Sequence, residues 1–339
     1  MTLKIGLIGT GYIADYHARA AKKIAGVQIT AVVNNQSQLA AAFAQKYDIP
    51  RQYTSVEDLL QDGDIDAISI NVPNAFHAPF AVAALAAGVH VIVEKPMAMN
   101  GTEAQSIIDA AQKSGALLMV AHCWRFDEEV LWLKDQVDSG KLGRIIRTKG
   151  YGVHANWGPS GWFTQADLAG GGALVDMGIH AIDTARFLLG DPQPASVYAK
   201  IGTFYGEYDV DDTGIVIVNW DNGVTSSIES GWWQPHMDGP EAATQLYGNR
   251  GFGEVFPTHL SLPNPETETI EAIDPGFPHP RAEHCPQVMY DNQMAYFVDC
   301  VRNGRAPNPG GAEGLVNMKI LDAAYESARS GNVVKIGGK

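Results

Sequence analysis

The feature that most constrains this chain is a glycine turn at its very start. Lys4 to Ile8 is a short apolar run with β-branched residues, Gly9-Thr10-Gly11-Tyr12-Ile13-Ala14 follows at once, and Tyr12 to Ile24 then shows helical spacing. In such a G-x-G-x-x-A turn the first glycine permits a tight bend, the second lets a pyrophosphate approach the backbone, and the small Ala14 lets helix and strand pack closely. Free N–H groups and the macrodipole at the helix start then favour negative charge. Glycine turns between strand and helix also occur for steric reasons alone. The position here, opening a βαβ unit, favours dinucleotide binding, with Gly9, Gly11, Tyr12 and Ile13 as candidate cofactor contacts.

The same grammar repeats. Val27 to Val33 is apolar and Gln36 to Tyr47 helical; then come Ala67 to Val72, Phe80 to Ala87, Val89 to Val93, Ala104 to Lys113 and Ala116 to Ala121. Strand, helix, strand at this spacing predicts a doubly wound parallel sheet, a Rossmann domain over residues 1–122. Beyond it, a helix over Glu128 to Asp138 leads to strands at Arg144 to Tyr151, Ser196 to Gly202, Thr213 to Trp220, Thr225 to Glu229 and Ala243 to Tyr247. Strands without intervening helices predict an α+β domain over residues 123–339 with a large open mixed or antiparallel sheet. One buried helix, Ala173 to Leu188, interrupts them. The proline-rich stretch Val255 to Pro286 is expected to be an irregular excursion, a hairpin or a subunit contact. Helices over Tyr290 to Arg302 and Gly314 to Ser330 close the chain. The fold class is α/β.

Lys+Arg 24 against Asp+Glu 38 gives a net charge of −14 over 339 residues, so the averaged field repels phosphate backbones and nucleic acid is excluded as a partner. Three scattered cysteines without a CxxC pair fit a reducing cytoplasm, and the N-terminus lacks the pattern of a signal peptide. No apolar stretch is long enough to span a bilayer.

The second strand ends in Asn34, with Asn35, Gln36 and Ser37 following. The carboxylate that would grip an adenosine ribose is absent, and so is the arginine that would take a 2′-phosphate. Asn34 and Asn35 are therefore candidates for either NAD or NADP, with NAD favoured because no basic residue lies beside this corner. Val91 to Val93 leads into Glu94-Lys95-Pro96 at the C-terminal end of a strand, the ligand-binding edge of a parallel sheet. A surface salt bridge is the bland reading of Glu94 and Lys95; Pro96 weighs against it by restricting the backbone at Lys95. Gly170-Gly171-Gly172 opens the buried helix, where Asp176 and His180 stand four residues apart on one face, so that the carboxylate can orient an imidazole that titrates near neutrality. Asp176 and His180 lack a third ligand at convincing spacing, and His279, Glu283, His284 and Cys285 are irregularly spaced, so no metal is expected.

Together, Gly9-x-Gly11-x-x-Ala14, Val72-Pro73-Asn74-x-x-His77, Glu94-Lys95-Pro96, and Gly170-Gly171-Gly172 with Asp176-x-x-x-His180-x-x-Asp183 resemble the glucose-fructose oxidoreductase, inositol dehydrogenase and rhizopine catabolism family, Gfo/Idh/MocA. The resemblance runs from about residue 3 to 336. It implies NAD(P)-dependent oxidation or reduction of a sugar, cyclitol or related polyol, and an open sheet that mediates homodimers or homotetramers. It also implies that Lys95, Asp176 and His180 are catalytic: His180 as general base, Lys95 against developing negative charge on oxygen, and Asp176 orienting His180 or holding Lys95. Pro73, Asn74, His77 and Glu94 would line the cofactor, and Arg125 the inner pocket. Two other functions stay open: a glycoside hydrolase or lyase that retains NAD and oxidises its sugar transiently, and a non-catalytic dinucleotide-sensing regulator.

Sugar rings offer C–H faces to aromatic rings, so Tyr151, His154, Trp157, Trp162, Trp232, Trp233 and His236 are substrate candidates. His154 and Trp157 stand out, lying between a strand and the glycine-opened helix. The acidic composition favours an uncharged polyol over a sugar phosphate.

Overall fold

The computed structural model describes residues 2–234, 241–264, 266–279, 281 and 285–337. The chain divides into two compact units, residues 1–123 with 287–318, and residues 124–286 with 319–339.

The first unit is a six-stranded sheet. Its strands are β1 (Leu3–Ile8), β2 (Val27–Val33), β3 (Arg51–Tyr53), β4 (Ala67–Ile70), β5 (His90–Glu94) and β6 (Leu118–Ala121), connected through α1 (Tyr12–Lys22), α2 (Ser37–Tyr47), α3 (Val56–Asp62), α4 (His77–Ala86) and α5 (Gly101–Ser114). The strand order is β3-β2-β1-β4-β5-β6 and every pairing is parallel, with the order reversing beside β1. β4 and β6 are buried at every position, as expected of strands covered on both faces. The short β3 and α3 escape sequence reading, because three residues and two turns carry too little periodicity.

The second unit is built on a nine-stranded mixed sheet. After α6 (Glu128–Asp138) come β7 (Ile145–Val153), the short α7 (Ala166–Ala169), α8 (Ile179–Leu188), β8 (Pro194–Gly202), β9 (Thr213–Trp220), β10 (Thr225–Gly231), β11 (Ala242–Gly248), β12 (Phe252–Val255), β13 (His259–Asn264) and β14 (Thr269–Ile273). α9 (Gln287–Asn303), α10 (Gly311–Ser330) and β15 (Val334–Lys335) follow. The sheet order is β14-β13-β12-β11-β7-β10-β9-β8-β15, with β7 parallel to β10 and antiparallel to β11. β9 alternates strictly between buried and more exposed positions, so one face of the sheet packs inward, with α8 lying against β7. Ile146, Tyr198 and Ile215 stay exposed.

One expectation needs correcting. α9 and the start of α10 belong to the first unit, although sequence reading assigned everything beyond residue 122 to the second. A break in grammar marks where a sheet ends but not which core a later amphipathic helix covers. Within the proline-rich stretch β13 and β14 form an antiparallel pair at the sheet's edge, with Pro263 opposite Ile270, the hairpin among the forms expected of it. Pro263 lies beyond the part of β13 that pairs with β12, which ends at Ser261, so a residue that cannot donate is tolerated there.

Candidate active site

Gly9 adopts φ +98°, and a Cβ there would lie 2.1 Å from the Asn71 carbonyl, so only glycine serves. Gly11 precedes the first turn of α1, which has no side-chain cap, and a Cβ built on it would meet nothing within 4 Å. Orphan N–H groups beside open backbone suit a dinucleotide phosphate. Tyr12 is 72% exposed and its hydroxyl bonds that of Tyr16 at 2.8 Å.

Asn34, at the end of β2, donates through Nδ2 to the Thr10 hydroxyl at 2.7 Å, and its Oδ1 accepts the Gln36 N–H at 2.8 Å. Its amide thereby ties the second strand to the glycine turn. Asn35 is exposed. Asn74 is buried, and Pro73 precedes it at the start of a short 3₁₀ turn. His77 faces the Pro96 carbonyl at 2.7 Å through Nδ1 and the Val72 carbonyl at 2.8 Å through Nε2, so it links the loops after β4 and β5. A neutral ring can donate to only one of these. Burial nonetheless depresses its pKa, against the pull of the two carbonyls.

Glu94 is buried at the end of β5. One oxygen lies 3.1 Å from His17 Nε2 and the other accepts the Lys95 backbone N–H at 3.2 Å. His17 Nδ1 sits 2.7 Å from the Ser69 hydroxyl. His17 was missed in the sequence; the available signal is a lone titratable residue on the alanine face formed by Ala14, Ala18 and Ala21. Glu94 thus anchors the residue before Lys95 to α1, which is not the solvated pair of the bland reading. The Lys95–Pro96 peptide is cis.

In the second unit the expected regular helix from Ala173 to Leu188 begins instead as a π turn over Leu174–Gly178, where the Ile179 N–H bonds the Leu174 carbonyl five residues back. The widened turn is pressed against the sheet: a Cβ on Gly152 would lie 2.5 Å from the Met177 carbonyl, and one on Gly178 would lie 2.9 Å from Ser230 Cβ. Such turns often occur at functional sites. Asp176 Oδ2 accepts the Trp232 indole N–H at 3.1 Å and lies 3.7 Å from His154 Nε2. His180 is buried and stacks on Trp124, with centroids 4.7 Å apart and planes 18° from parallel.

The glycine run before this turn is occupied by the chain itself. Asp211 accepts N–H bonds from Gly172 and Leu174, each at 2.8 Å, and the Tyr325 hydroxyl at 2.6 Å. Burial raises the Asp211 pKa against those three donors. Neither Asp211 nor Tyr325 carries a pattern in the sequence.

His154 directly follows β7, stacked on Trp157 at 3.6 Å between centroids, with Nδ1 3.5 Å from Glu241. Glu241 also accepts the Trp157 indole N–H at 2.7 Å and the Ala155 N–H at 2.9 Å. Glu241 is another residue missed in the sequence. Trp157 is 45% exposed and Trp232 fully buried. The backbone N–H of Trp233 bonds the Trp157 carbonyl at 2.8 Å, and Trp162 stacks on Phe163. His236, Glu283 and His284 lie outside the described residues.

Arg125, expected at the inner pocket, is held by two carboxylates. Only 3% exposed, it clamps Asp183 at 2.7 and 2.8 Å and Asp191 at 2.8 and 3.2 Å. The two carboxylates raise its pKa despite burial, as in a structural ion cluster that braces α8. Among the described residues no group of three or more His, Cys, Asp or Glu is arranged to hold a metal.

Two family models match this chain. One, described as an oxidoreductase family with an NAD-binding Rossmann fold, matches residues 3–122, and the GFO/IDH/MocA C-terminal domain matches residues 130–253. Inositol 2-dehydrogenase of Salmonella paratyphi B is 34% identical over 98% of this chain and 96% of its own. D-glucoside 3-dehydrogenase of Escherichia coli is 29% identical over 98% and 97%. A solved levoglucosan dehydrogenase in complex with NADH superposes with a TM-score of 0.89 at 25% identity, over 99% of this chain and 100% of that one. With the glycine turn and the two units in place, the chain belongs to the Gfo/Idh/MocA family and is an NAD(P)-dependent oxidoreductase acting on CH–OH groups.

Proposed function

We propose that this enzyme oxidises a secondary hydroxyl of an uncharged sugar, cyclitol or related polyol, or runs the reverse reduction, with Lys95, Asp176 and His180 as its catalytic residues. The observation that carries the reading is the polar–aromatic cluster of the second unit: Asp176 held by Trp232, His154 beside it, and Trp157 stacked on His154 with its indole fixed by Glu241. Aromatic faces with a few fixed polar groups suit a ring of C–H faces and hydroxyls. Relatives named for inositol, D-glucosides and levoglucosan support the class.

The bound nicotinamide supplies the hydride acceptor, and the α1 N-terminus with Gly9 and Gly11 would hold its phosphates. His180 takes the hydroxyl proton as the carbon–hydrogen bond breaks, and the Lys95 ammonium stabilises charge building on that oxygen. Glu94 and His17 keep the Lys95 backbone in place, and Asp176 completes the polar set around the base. In the reverse direction protonated His180 returns the proton. The Asn34-Asn35-Gln36-Ser37 corner, without a basic residue, favours NAD over NADP. The exposed Ile146, Tyr198 and Ile215 of the open sheet would be covered by a second copy, and a reducing cytoplasm suits the three cysteine thiols.

The test is nicotinamide reduction over a panel of inositols, aldoses, glucosides and levoglucosan with both cofactors. Net reduction by at least one member is expected, with His180→Ala lowering kcat about 100-fold or more while NAD affinity stays within about threefold. Cofactor retained through purification with glycoside cleavage but no net reduction would transfer the assignment to a transient-oxidation hydrolase.

A further inference from the structure

Beneath His180 the second unit holds an ordered column of side chains that the reaction as described does not use. The imidazole lies face to face with Trp124, which is 3% exposed. Phe256 meets the Trp124 indole edge-on, at 5.7 Å between centroids and 81° between planes. The Arg281 guanidinium sits 4.2 Å above the Phe256 ring and is fixed by Asp127 and Glu129. We propose that Trp124 is a positioning residue for His180, holding the imidazole in one plane and one orientation for proton transfer, with Phe256 and Arg281 holding Trp124. The proposal rests on His180 acting as the general base.

Rotation about the last side-chain torsion of histidine is broad and roughly two-fold, so an unsupported imidazole can flip and put Cδ2 and Cε1 where Nδ1 and Nε2 stood. A flip must carry the ring perpendicular to its stacked neighbour, and a buried indole at this distance blocks that path. The indole face is also the best aromatic partner for a cation, so the contact persists when His180 takes the proton. Plain core filling would place Trp124 against apolar side chains in any orientation. Here each member meets the next in a favourable aromatic or cation–π geometry. Phe256 further holds φ +64°, a left-handed conformation that a bulky residue keeps only where its surroundings over-determine it.

The experiment uses full-length Trp124→Leu, Trp124→Phe, His180→Ala and the Trp124→Leu/His180→Ala double variant. Oxidation of myo-inositol and levoglucosan, in which His180 takes the hydroxyl proton, is followed kinetically as NAD reduction, and the histidine rings by nitrogen NMR of the NAD-bound protein. Trp124→Leu should lower kcat about 10- to 100-fold with KM within about threefold, and Trp124→Phe should recover most of it. In the His180→Ala background the Leu change should add nothing. In the spectrum, His180 should give one tautomer in the native and Phe proteins, and broadened or mixed signals in the Leu variant. If the Leu variant does not fold, Trp124→Met, apolar but without a ring face, takes its place. An unchanged His180 signal in the Leu or Met variant overturns the proposal, and that readout needs no turnover. Native turnover in His180→Ala would remove the base assignment instead, leaving the NMR result to report on the stack.

Discussion

Two of the helical starts that follow glycines, at α1 and after Gly170–Gly172, differ in what meets their N–H groups. At α1 no side chain caps the first turn, and the space a Cβ on Gly11 would take is open. At Gly170–Gly172 the Asp211 carboxylate accepts the N–H groups of Gly172 and Leu174, and a Cβ on Gly172 would lie 1.8 Å from the Asp211 backbone carbonyl. The first start leaves its first turn without a side-chain cap, as an external anion would need; the second carries its anion with it. A glycine-rich helix start therefore says that something comes close to the backbone, and only the neighbouring chain says whether that is a ligand.

Substitutions can break this contrast. The largest effect is expected for Gly172→Ala, where the clash is with backbone that cannot rotate away: a loss beyond about 4 kcal/mol, or no soluble protein, read by expression and urea unfolding. Normal stability would show that the packing around Asp211 is loose. Asp211→Ala should follow at about 2–4 kcal/mol, because two helix N–H groups and the Tyr325 hydroxyl lose a buried acceptor. NAD affinity should move much less than stability in both. Gly11→Ala should do the opposite, costing below about 1 kcal/mol of stability but weakening NAD about tenfold or more in a titration, since the added methyl fills the phosphate approach. Unchanged affinity would place the phosphates elsewhere.

The smallest effect sharpens the first start. Asn71 and Val72 border Gly9, and His77 faces the Val72 carbonyl. Burial depresses its pKa below the ordinary 6.5. The unfolded chain then binds the proton more readily than the folded one, so the stability is full above 6.5 and is lost as pH falls through the folded value. Unfolding midpoints between about pH 7.5 and 5.5 should fall less steeply for His77→Gln than for the native protein. Equal slopes would mean that His77 titrates normally in the fold.

Much of this was legible in advance. The parallel sheet followed from repeated strand–helix spacing, and the mixed sheet from strands without crossovers, because both periodicities are local properties of the chain. The π turn was not, since the same residues read as an unbroken helix until β7 and β10 press on them. His154 beside Asp176 and the Trp157 contact with Glu241 join residues up to 84 positions apart, and no spacing rule reaches that far. The resemblance offers Arg125 as a pocket residue, and its clamp on Asp183 and Asp191, 58 and 66 positions away, was equally out of reach of any spacing rule.

What the amino-acid order determined alone was the architecture of both units and the glycine turn that opens the first, because side-chain period and backbone freedom are set residue by residue. Which groups those residues touch was decided only in three dimensions: Glu94 on His17, Asp176 on Trp232, His180 on Trp124. A buried polar atom takes whichever partner folding brings within about 3 Å, and that choice belongs to the packed core.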